Sequence, residues 1–347
     1  MGAAVGSGLP AAGLTVRWLN DHGGLNGHPV KLVTGDSQSD PSRYAALVKQ
    51  MVERDRVIAF VGNQVPLSAQ GGAQYLVDHG VPAVGGDLTQ ELWFQNPMMF
   101  PHGSTLETLA LGVMQIAAQQ SKPKVAVFWC TEADVCGKFN QYMSSSKAKA
   151  TGADLVYSAQ ISLAQPDFTS ECLQAKQRGA QAIMLAMDPN AQSRVARSCT
   201  QQGYSPMWLG ASMAIADVSK NDPNLNGMWG SVPIFPWPAA DSPATQLFQA
   251  AVKQYAPNMI TGAASASVWT AGMLLRSIAG SISDTPSSAD IVNGLYTVRN
   301  TTVDGLTSSL TYEKGKPYTV PSCYFTVKID GGKWVAPDGS KPRCINF

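Results

Sequence analysis

Alternating blocks of apolar and polar residues along the chain predict a series of helices and β-strands. Ala11, Leu14 and Trp18 share one stripe, which predicts a first helix over residues 9–21. A strand is predicted over 30–34, and a second strand, Val-Ile-Ala-Phe-Val, over 57–61. Between them, Asp40-Pro41 reads as a helix cap followed by a first-turn proline. This strand–helix–strand order predicts a parallel sheet.

The same layout returns later in the chain, after a turn-rich break at 96–104. Three prolines within 231–238 mark a second break, because each removes a backbone donor and restricts its neighbour. A closing β-hairpin is predicted around 330–332. We therefore predict an α/β protein with two doubly wound parallel-sheet lobes, one formed by residues 1–102 and 237–319 and the other by 103–236 and 320–347. The remaining predicted strands are 81–84, 125–129, 155–161, 182–186 and 207–209.

The loops that leave the predicted strands are the candidate ligand-binding surface. In an open parallel sheet, small molecules bind beyond the carboxyl ends of the strands, and a helix that starts there offers unpaired N–H groups. Each loop taken alone is also compatible with an ordinary connection. The five candidate loops are 62–68, 85–88, 130–137, 187–190 and 210–213.

Length and charge narrow the class of protein. A chain of 347 residues with 44% hydrophobic content is long enough for two domains. Its formal net charge of +1 gives no field to attract a nucleic acid or an anionic membrane, so neither partner is expected. No apolar run reaches the roughly 18 residues of a membrane span, and residues 1–14 lack the basic start of a signal peptide.

Six cysteines form three pairs that are close in sequence. An even number in local pairs favours disulfides and an oxidising compartment. The sequence alone allows 15 complete pairings, and six reduced thiols in a cytosolic protein remain an alternative. No CxxC or HxxxH pattern is present, so no metal site is expected. The pairs are Cys130 with Cys136, Cys172 with Cys199, and Cys323 with Cys344.

Two sequence patterns are similar to motifs of enzymes. The segment after the strand at 207–209 resembles a nucleophile elbow that would expose Ser212, but all four histidines lie upstream of it, whereas the elbow needs one downstream. Gly6, Gly8 and Ala11 fit a dinucleotide-binding pattern, with Asp36 as the ribose-binding acid, so an NAD-dependent enzyme is an alternative. Against it, Pro10 intrudes and no catalytic residue stands out.

Aromatic residues flank the second predicted crossing between lobes. Trp229, Phe235 and Trp237 are expected to pack this linker against a lobe, and the alternative is that one of them stacks on a ligand. Among the four histidines, His102 at the first crossing is the one that is a candidate for lining a cleft.

Taken in order, these segments resemble the type I periplasmic binding proteins, specifically the branched-chain amino-acid branch of ABC-importer receptors. The likeness covers essentially the whole chain, and its specificity comes from order and spacing. The segments that carry it are Trp18-Leu-Asn20 with Gly23-Gly-Leu-Asn-Gly27, Asp36, Asp40-Pro41, Phe60-Val-Gly62, Gly80-Val-Pro82, Cys136-Gly137 and Asp167-Phe168.

The resemblance implies two lobes joined by three crossovers, a small molecule held in the cleft between them, and hinge closure that a membrane permease recognises. It implies no catalysis and no cofactor, an extracytoplasmic location, and a monomer. The family's first strand would lie upstream of the loop with which the numbering opens, so that strand and an export signal are expected to precede Met1. A ligand-sensing domain of a signalling receptor on the same fold is an alternative.

Mapping the family's binding loops predicts the ligand-contacting residues and shows where this chain departs from amino-acid binders. The hydroxyl for the ligand carboxylate falls on Pro66 or Leu67, and the acid for the ligand ammonium falls near Ser212. An α-amino acid is therefore in doubt, and a partly apolar metabolite such as an amino-acid derivative or aromatic acid is favoured. The predicted ligand-binding residues are Ala4, Asn63, Gln64, Pro66, Leu67, Ser68, Gly86, Asp87, Leu88, Val135, Cys136, Asp188, Ser212 and Met213.

Overall fold

The chain folds as two units, each with its own sheet. The computed structural model describes residues 7–212 and 215–346. The N-terminal unit comprises residues 7–103 and 240–321, and the C-terminal unit comprises 104–239 and 322–346. Over the described residues the chain therefore passes from one unit to the other three times.

The helices and strands of the described residues alternate along most of the chain. In chain order the helices are α1 (Gly8–Asp21), α2 (Pro41–Glu53), α3 (Ala69–His79), α4 (Leu92–Gln95), α5 (Leu106–Gln119), α6 (Asp134–Met143), α7 (Thr169–Gln177), α8 (Pro189–Gln201), α9 (Pro243–Tyr255), α10 (Ala263–Ser277) and α11 (Ser288–Leu295). The strands are β1 (Phe60–Asn63), β2 (Ala83–Gly86), β3 (Met99–Phe100), β4 (Lys124–Cys130), β5 (Asp154–Ile161), β6 (Ala182–Ala186), β7 (Met207–Ala211), β8 (Trp229–Val232), β9 (Cys323–Asp330), β10 (Lys333–Val335) and β11 (Arg343–Cys344).

The N-terminal unit is built on a three-stranded parallel sheet in the order β1-β2-β3, with Phe60 opposite Ala83. Helix α10, buried over nearly its whole length, packs against β1, β2 and α1. A Cβ atom on Gly272 of α10 would lie 2.3 Å from the Thr15 Cγ2 atom of α1, so only glycine allows this close helix pairing.

Local signals set the ends of the helices in this unit. The Asp40 carboxylate accepts a hydrogen bond from the Arg43 N–H at 2.7 Å, and Pro41 occupies the first turn of α2, as the sequence predicts. Helix α3 ends at Gly80, whose φ of 62° is left-handed.

The strand predicted over 30–34 is not formed. In the described part of the chain these residues have no regular secondary structure and pair with no strand, and the Val30 N–H donates instead to the Asn20 side chain at 2.7 Å. The strand predicted over 57–61 also begins later, at Phe60. A β-strand forms only where a partner strand is available for backbone hydrogen bonds, and a pattern of apolar residues does not specify that partner.

The C-terminal unit contains an eight-stranded sheet. Its main order is β10-β9-β8-β7-β6-β4-β5, and β11 also pairs with β9. Strands β4 to β8 are parallel, whereas β9 is antiparallel to its neighbours. The hairpin predicted near the end of the chain is confirmed, because β9 and β10 turn at Gly331 and Gly332, both with positive φ. Together the two sheets confirm the predicted α/β fold class.

Three disulfides lie in the C-terminal unit, and they are the three predicted pairs. Their Cα–Cα separations are 5.3 Å for Cys130–Cys136, 5.1 Å for Cys172–Cys199 and 3.9 Å for Cys323–Cys344. No cysteine of the described chain is left unpaired. Across residues 7–212 and 215–346, no helix has the length and apolar character needed to cross a bilayer.

Candidate functional site

Parallel pairing brings the candidate loops of each unit to one edge of its sheet. In the N-terminal unit β1 and β2 are neighbours, so the loops that follow them, 62–68 and 85–88, lie side by side. In the C-terminal unit β4, β6 and β7 are consecutive in the sheet, which places the loops 130–137 and 187–190 and the residues after β7 along its carboxyl edge.

Asp87 joins the two loops of the N-terminal unit. One carboxylate oxygen, Oδ2, accepts the Val65 N–H at 2.9 Å, and the other, Oδ1, accepts the Thr89 N–H at 3.0 Å and the Thr89 hydroxyl at 2.5 Å. The Asp87 N–H in turn donates to the Asn63 carbonyl at 3.0 Å. Burial raises the pKa of this carboxyl above its ordinary value, against the lowering effect of these donors.

Two further hydrogen bonds fix the loop after β1. The Asn63 amide donates to the Tyr44 hydroxyl at 2.9 Å, and the Gln90 amide donates to the Pro66 carbonyl at 2.9 Å. Burial raises the pKa of the Tyr44 phenol, so this hydroxyl stays neutral. The side-chain amide nitrogen of Asn63 and the carboxylate of Asp87, two of the residues predicted to contact a ligand, therefore bind protein atoms.

A polar cluster lies where β2 meets α10. The Ser267 hydroxyl donates to the Gly86 carbonyl at 2.7 Å, and His102 Nε2 lies 2.9 Å from the Ser267 carbonyl. His102 is fully buried, and this burial lowers its pKa to about 4. Gln64 Nε2 reaches the Ser267 hydroxyl at 3.4 Å, while Gln64 Oε1 and His102 Nδ1 have no hydrogen-bond partner among the described residues.

The remaining predicted residues of these loops differ in exposure. Pro66 and Leu67 are half-buried, so part of each side chain is open to solvent. Ser68 is fully buried, with its hydroxyl 3.0 Å from that of Ser37, and Leu88 is buried with a left-handed backbone, φ 57°. Pro66 and Leu67 are thus the apolar side chains that this edge presents.

In the C-terminal unit, the Cys130–Cys136 disulfide joins the end of β4 to the first turn of α6. Cys136 is buried, and Val135 beside it is half-buried against the core of the unit. The disulfide therefore holds the loop between β4 and α6 at both ends.

Asp188 and Ser212 stand at the ends of the neighbouring strands. Asp188 caps α8, because its Oδ1 accepts the Asn190 N–H at 2.9 Å and the Ala191 N–H at 3.3 Å. Ser212 is buried, adopts φ 56°, and its hydroxyl has no hydrogen-bond partner within residues 7–212 and 215–346. Ala4 and Met213, also predicted as ligand contacts, lie outside the described residues.

Some site residues escaped the sequence analysis. Thr89 follows Asp87 at the spacing of a local side-chain turn, a pattern that the sequence does contain. Tyr44 and Ser267 lie far along the chain from the loops they support, and no local pattern marks them.

The structure accounts for the sequence patterns that suggested an enzyme. All four histidines belong to the N-terminal unit, whereas Ser212 belongs to the C-terminal unit. Gly8 is the first residue of α1, Asp36 is exposed, and its Oδ1 accepts the Gln38 N–H at 2.8 Å. Over the described residues no group of three or more histidine, cysteine, aspartate or glutamate side chains could hold a metal ion.

The aromatic residues of the second crossing are packed within the C-terminal unit. Trp229, Phe235 and Trp237 are all buried, and the rings of Trp237 and Trp334 meet edge to face with centroids 5.4 Å apart. This is the packing role that the sequence favoured.

Comparison with known proteins places the chain among binding proteins. A family model described as "Periplasmic binding protein" matches residues 2–333. No curated protein matches the chain.

Solved structures share the fold at low sequence identity. A fatty acid ABC transporter substrate-binding protein from Thermomonospora curvata is 17% identical, with a TM-score of 0.79 over 97% of this chain and 88% of its own. A solute-binding protein from R. palustris in complex with benzoate is 14% identical, with a TM-score of 0.76 over 99% and 94%. A branched-chain amino acid substrate-binding protein from Streptococcus pneumoniae in complex with isoleucine is 13% identical, with a TM-score of 0.77 over 99% and 95%.

Proposed function

Because the chain belongs to the family of periplasmic binding proteins, we propose that it is the solute receptor of an ABC importer and that its ligand is a small, largely apolar carboxylic acid. The observation that carries the proposal is the family match over residues 2–333, nearly the whole chain. The family binds solutes without catalysis, acts outside the cytoplasm, and works with permease subunits in the membrane. We propose that this chain acts as a monomer in the periplasm or as a cell-surface lipoprotein.

The state of the acidic residues argues against an α-amino acid. A buried ligand ammonium needs a carboxylate partner, since an unpaired buried charge is expensive. Both oxygens of Asp87 accept hydrogen bonds from its own loops, and Asp188 caps α8. Ser212 stands where the resemblance places the ammonium-binding acid.

The apolar side chains and one helix terminus favour an apolar acid instead. Pro66 and Leu67 in one unit and Val135 in the other are half-buried and present apolar surface. Helix α3 begins directly after the first loop, its N-cap Ser68 makes no side-chain capping bond, and its first turn carries no acid. Such a helix start favours an anion. Similar solved structures are named for fatty acid and benzoate ligands.

Matched pairs of acids test the ligand class. Isoleucine is compared with 3-methylpentanoate, and phenylalanine with 3-phenylpropanoate, by thermal shift and then calorimetry, with benzoate and octanoate added to the panel. A ligand that binds the folded state raises the melting temperature by mass action. We expect the acids without the ammonium group to give the larger shifts. Larger shifts with isoleucine and phenylalanine would overturn the assignment of ligand class.

A substitution in the C-terminal unit sharpens the same test. Ser212→Asp supplies an acid at the expected ammonium position, and aspartate tolerates a left-handed backbone. We expect it to weaken binding of the deaminated acid and strengthen that of the amino acid, whereas the neutral control Ser212→Asn does neither. Leu67→Asp in the other unit should also weaken binding of the acid. If Ser212→Asp leaves the preference between the two acids unchanged, the assignment of the ligand class is wrong.

A further inference from the structure

A group of exposed basic side chains lies at the amino edge of the C-terminal sheet. Lys124 is the first residue of β4, and Lys122 precedes it by two positions. Lys176 and Arg178 lie at the end of α7, shortly before β6, and Lys149 lies in the 3-10 helix Ser146–Thr151 that precedes β5. These five exposed residues form the amino-edge patch.

Strand pairing brings the members of the amino-edge patch together. The first residues of β4 and β5 are partners in register, and the Gln181 N–H, just before β6, donates to the Lys124 carbonyl at 2.7 Å. A Cβ atom placed on Gly179 would lie 4.0 Å from Lys124 Nζ, so this ammonium lies beside the turn that carries Arg178. Neighbouring strands are about 4.8 Å apart, so the patch crosses β5, β4 and β6 over about 10 Å.

Few negative charges balance the amino-edge patch. In the segments 120–124, 146–154 and 176–182, which lead into β4, β5 and β6, Asp154 is the only acid. None of the five cations forms an ion pair with a described residue. The Lys176 ammonium donates instead to the carbonyls of Gln202 and Gly203, at 3.2 and 3.4 Å, where α8 has ended.

Helix ends balance only part of this charge. The carboxyl ends of α5, α7 and α8 lie at the same edge, because each of these helices leads into a parallel strand. Each helix end carries about half a negative charge, so the three ends and Asp154 offset about half of the five positive charges. A net charge of about +2.5 therefore remains at one edge of the sheet, whereas the whole chain has a formal charge of +1.

We propose that the amino-edge patch binds a flexible linear polymer of phosphate groups. Phosphate oxygens accept charge-assisted hydrogen bonds from lysine and arginine, and the exposed side chains of Ser121, Gln177 and Gln181 lie beside the cations as further donors. A polymer suits a patch that crosses several strands, because successive phosphates meet successive cations and release counterions. A bilayer surface fits less well, since the three segments contain no aromatic residue to enter its interface.

The position of the amino-edge patch leaves the candidate ligand loops of this unit uncovered. Those loops follow the carboxyl ends of β4 and β6, and β4 has seven residues, so about 20 Å separate the two edges. A polymer bound at the amino edge therefore retains the protein without covering loops 130–137 and 187–190. This attachment is a function additional to solute binding, and it does not depend on the identity of the solute.

Titration of the full chain with sodium polyphosphate tests the patch. We expect binding at low ionic strength that weakens as salt is added, because binding releases counterions. Lysine acetylation read by mass spectrometry should show that the polymer protects Lys122, Lys124 and Lys176 but not Lys49 and Lys253, which are exposed in the N-terminal unit. Absence of binding at low ionic strength, or equal protection of all these lysines, would overturn the proposal.

Two double variants separate the patch from the net charge of the chain. Lys124→Gln with Arg178→Gln removes two cations of the patch, and the control Lys49→Gln with Lys253→Gln removes two exposed cations elsewhere. We expect the first pair to weaken polymer binding at least tenfold and to reduce the slope of log K against log salt by about two. The control should weaken binding by less than about twofold, with circular dichroism showing that both variants fold. Equal effects would mean that net charge alone drives binding, and the patch would be refuted.

Other anions test the class of partner. At equal phosphate concentration, vesicles of phosphatidylglycerol and phosphatidylcholine in equal parts, and duplex DNA, should bind more weakly than polyphosphate. Inorganic phosphate should not compete, since a polymer gains from linked contacts. Vesicle or DNA binding as tight as that of polyphosphate would identify a membrane or a nucleic acid as the partner, and effective competition by inorganic phosphate would identify a site for a single anion. Each of these results overturns the proposed polymer.

Discussion

Removing the carboxylate that ties the two N-terminal loops together is expected to destabilise that unit measurably. In Asp87→Ala, the Val65 and Thr89 backbone N–H groups lose their acceptor, and Asp87 itself is 1% exposed. A buried donor left unsatisfied costs about 1–3 kcal/mol. Removing the buried charge offsets part of this loss of stability, because burial disfavours the ionised carboxyl. We therefore expect a net loss of about 2–4 kcal/mol at pH 7.

Urea unfolding measures this loss, and amide hydrogen exchange locates it. The Val65 amide should exchange at least tenfold faster in the variant, since exchange reports local opening. Asp36→Ala is the matched control: Asp36 also accepts a backbone N–H two residues on, from Gln38, but it is exposed. The control should change stability by no more than about 0.5 kcal/mol. A loss below about 1 kcal/mol in Asp87→Ala, or unchanged Val65 exchange, would refute the reasoning.

Three further predictions follow from burial and covalent links. Burial lowers the pKa of His102 to about 4 in the folded state, below its unfolded value of about 6.5, so the free energy of unfolding falls by about 3 kcal/mol as the pH drops from about 6.5 through 4. Urea titrations at several pH values should show this fall in the native protein but not in His102→Gln. Gly86→Ala should lower the free energy of unfolding by about 1–3 kcal/mol, since the added Cβ would lie 2.4 Å from the Trp93 ring. The control Gly13→Ala, whose added Cβ meets no atom within 4 Å, should raise it by about 0.5–1 kcal/mol, and urea unfolding measures both changes. Replacing Cys172 and Cys199 by alanine should lower the free energy of unfolding by about 3–4 kcal/mol. Thiol titration of the unsubstituted protein, after denaturation without a reductant, should find no free thiols.

The sequence predicts those features whose causes are local. Asp40-Pro41 caps α2 because both the donor and the acceptor lie within four residues. The predicted cysteine pairs form, and each closes a loop of modest length, with sequence separations of 6, 27 and 21. The segment 30–34 was predicted wrongly as a strand, because a strand depends on a partner that local alternation does not specify.

The candidate site was predicted at the level of loops and less well at the level of atoms. The loops after β1 and β2 do lie together, since parallel order follows from the strand–helix alternation. The direction of each polar side chain depends on distant residues: Tyr44 holds Asn63, and Ser267 holds the Gly86 carbonyl. These supports lie 19 and 181 positions away in the chain, beyond the reach of any local motif.

All six cysteines belong to the C-terminal unit, and the N-terminal unit has none. A reductant can therefore remove covalent links from one half of the protein while it leaves the chemistry of the other half unchanged. During biogenesis, the N-terminal unit needs no oxidant to reach its final covalent state, whereas the C-terminal unit needs one to form its three disulfides. Limited proteolysis with and without dithiothreitol should accordingly show new cleavage sites in residues 104–239 and 322–346 alone.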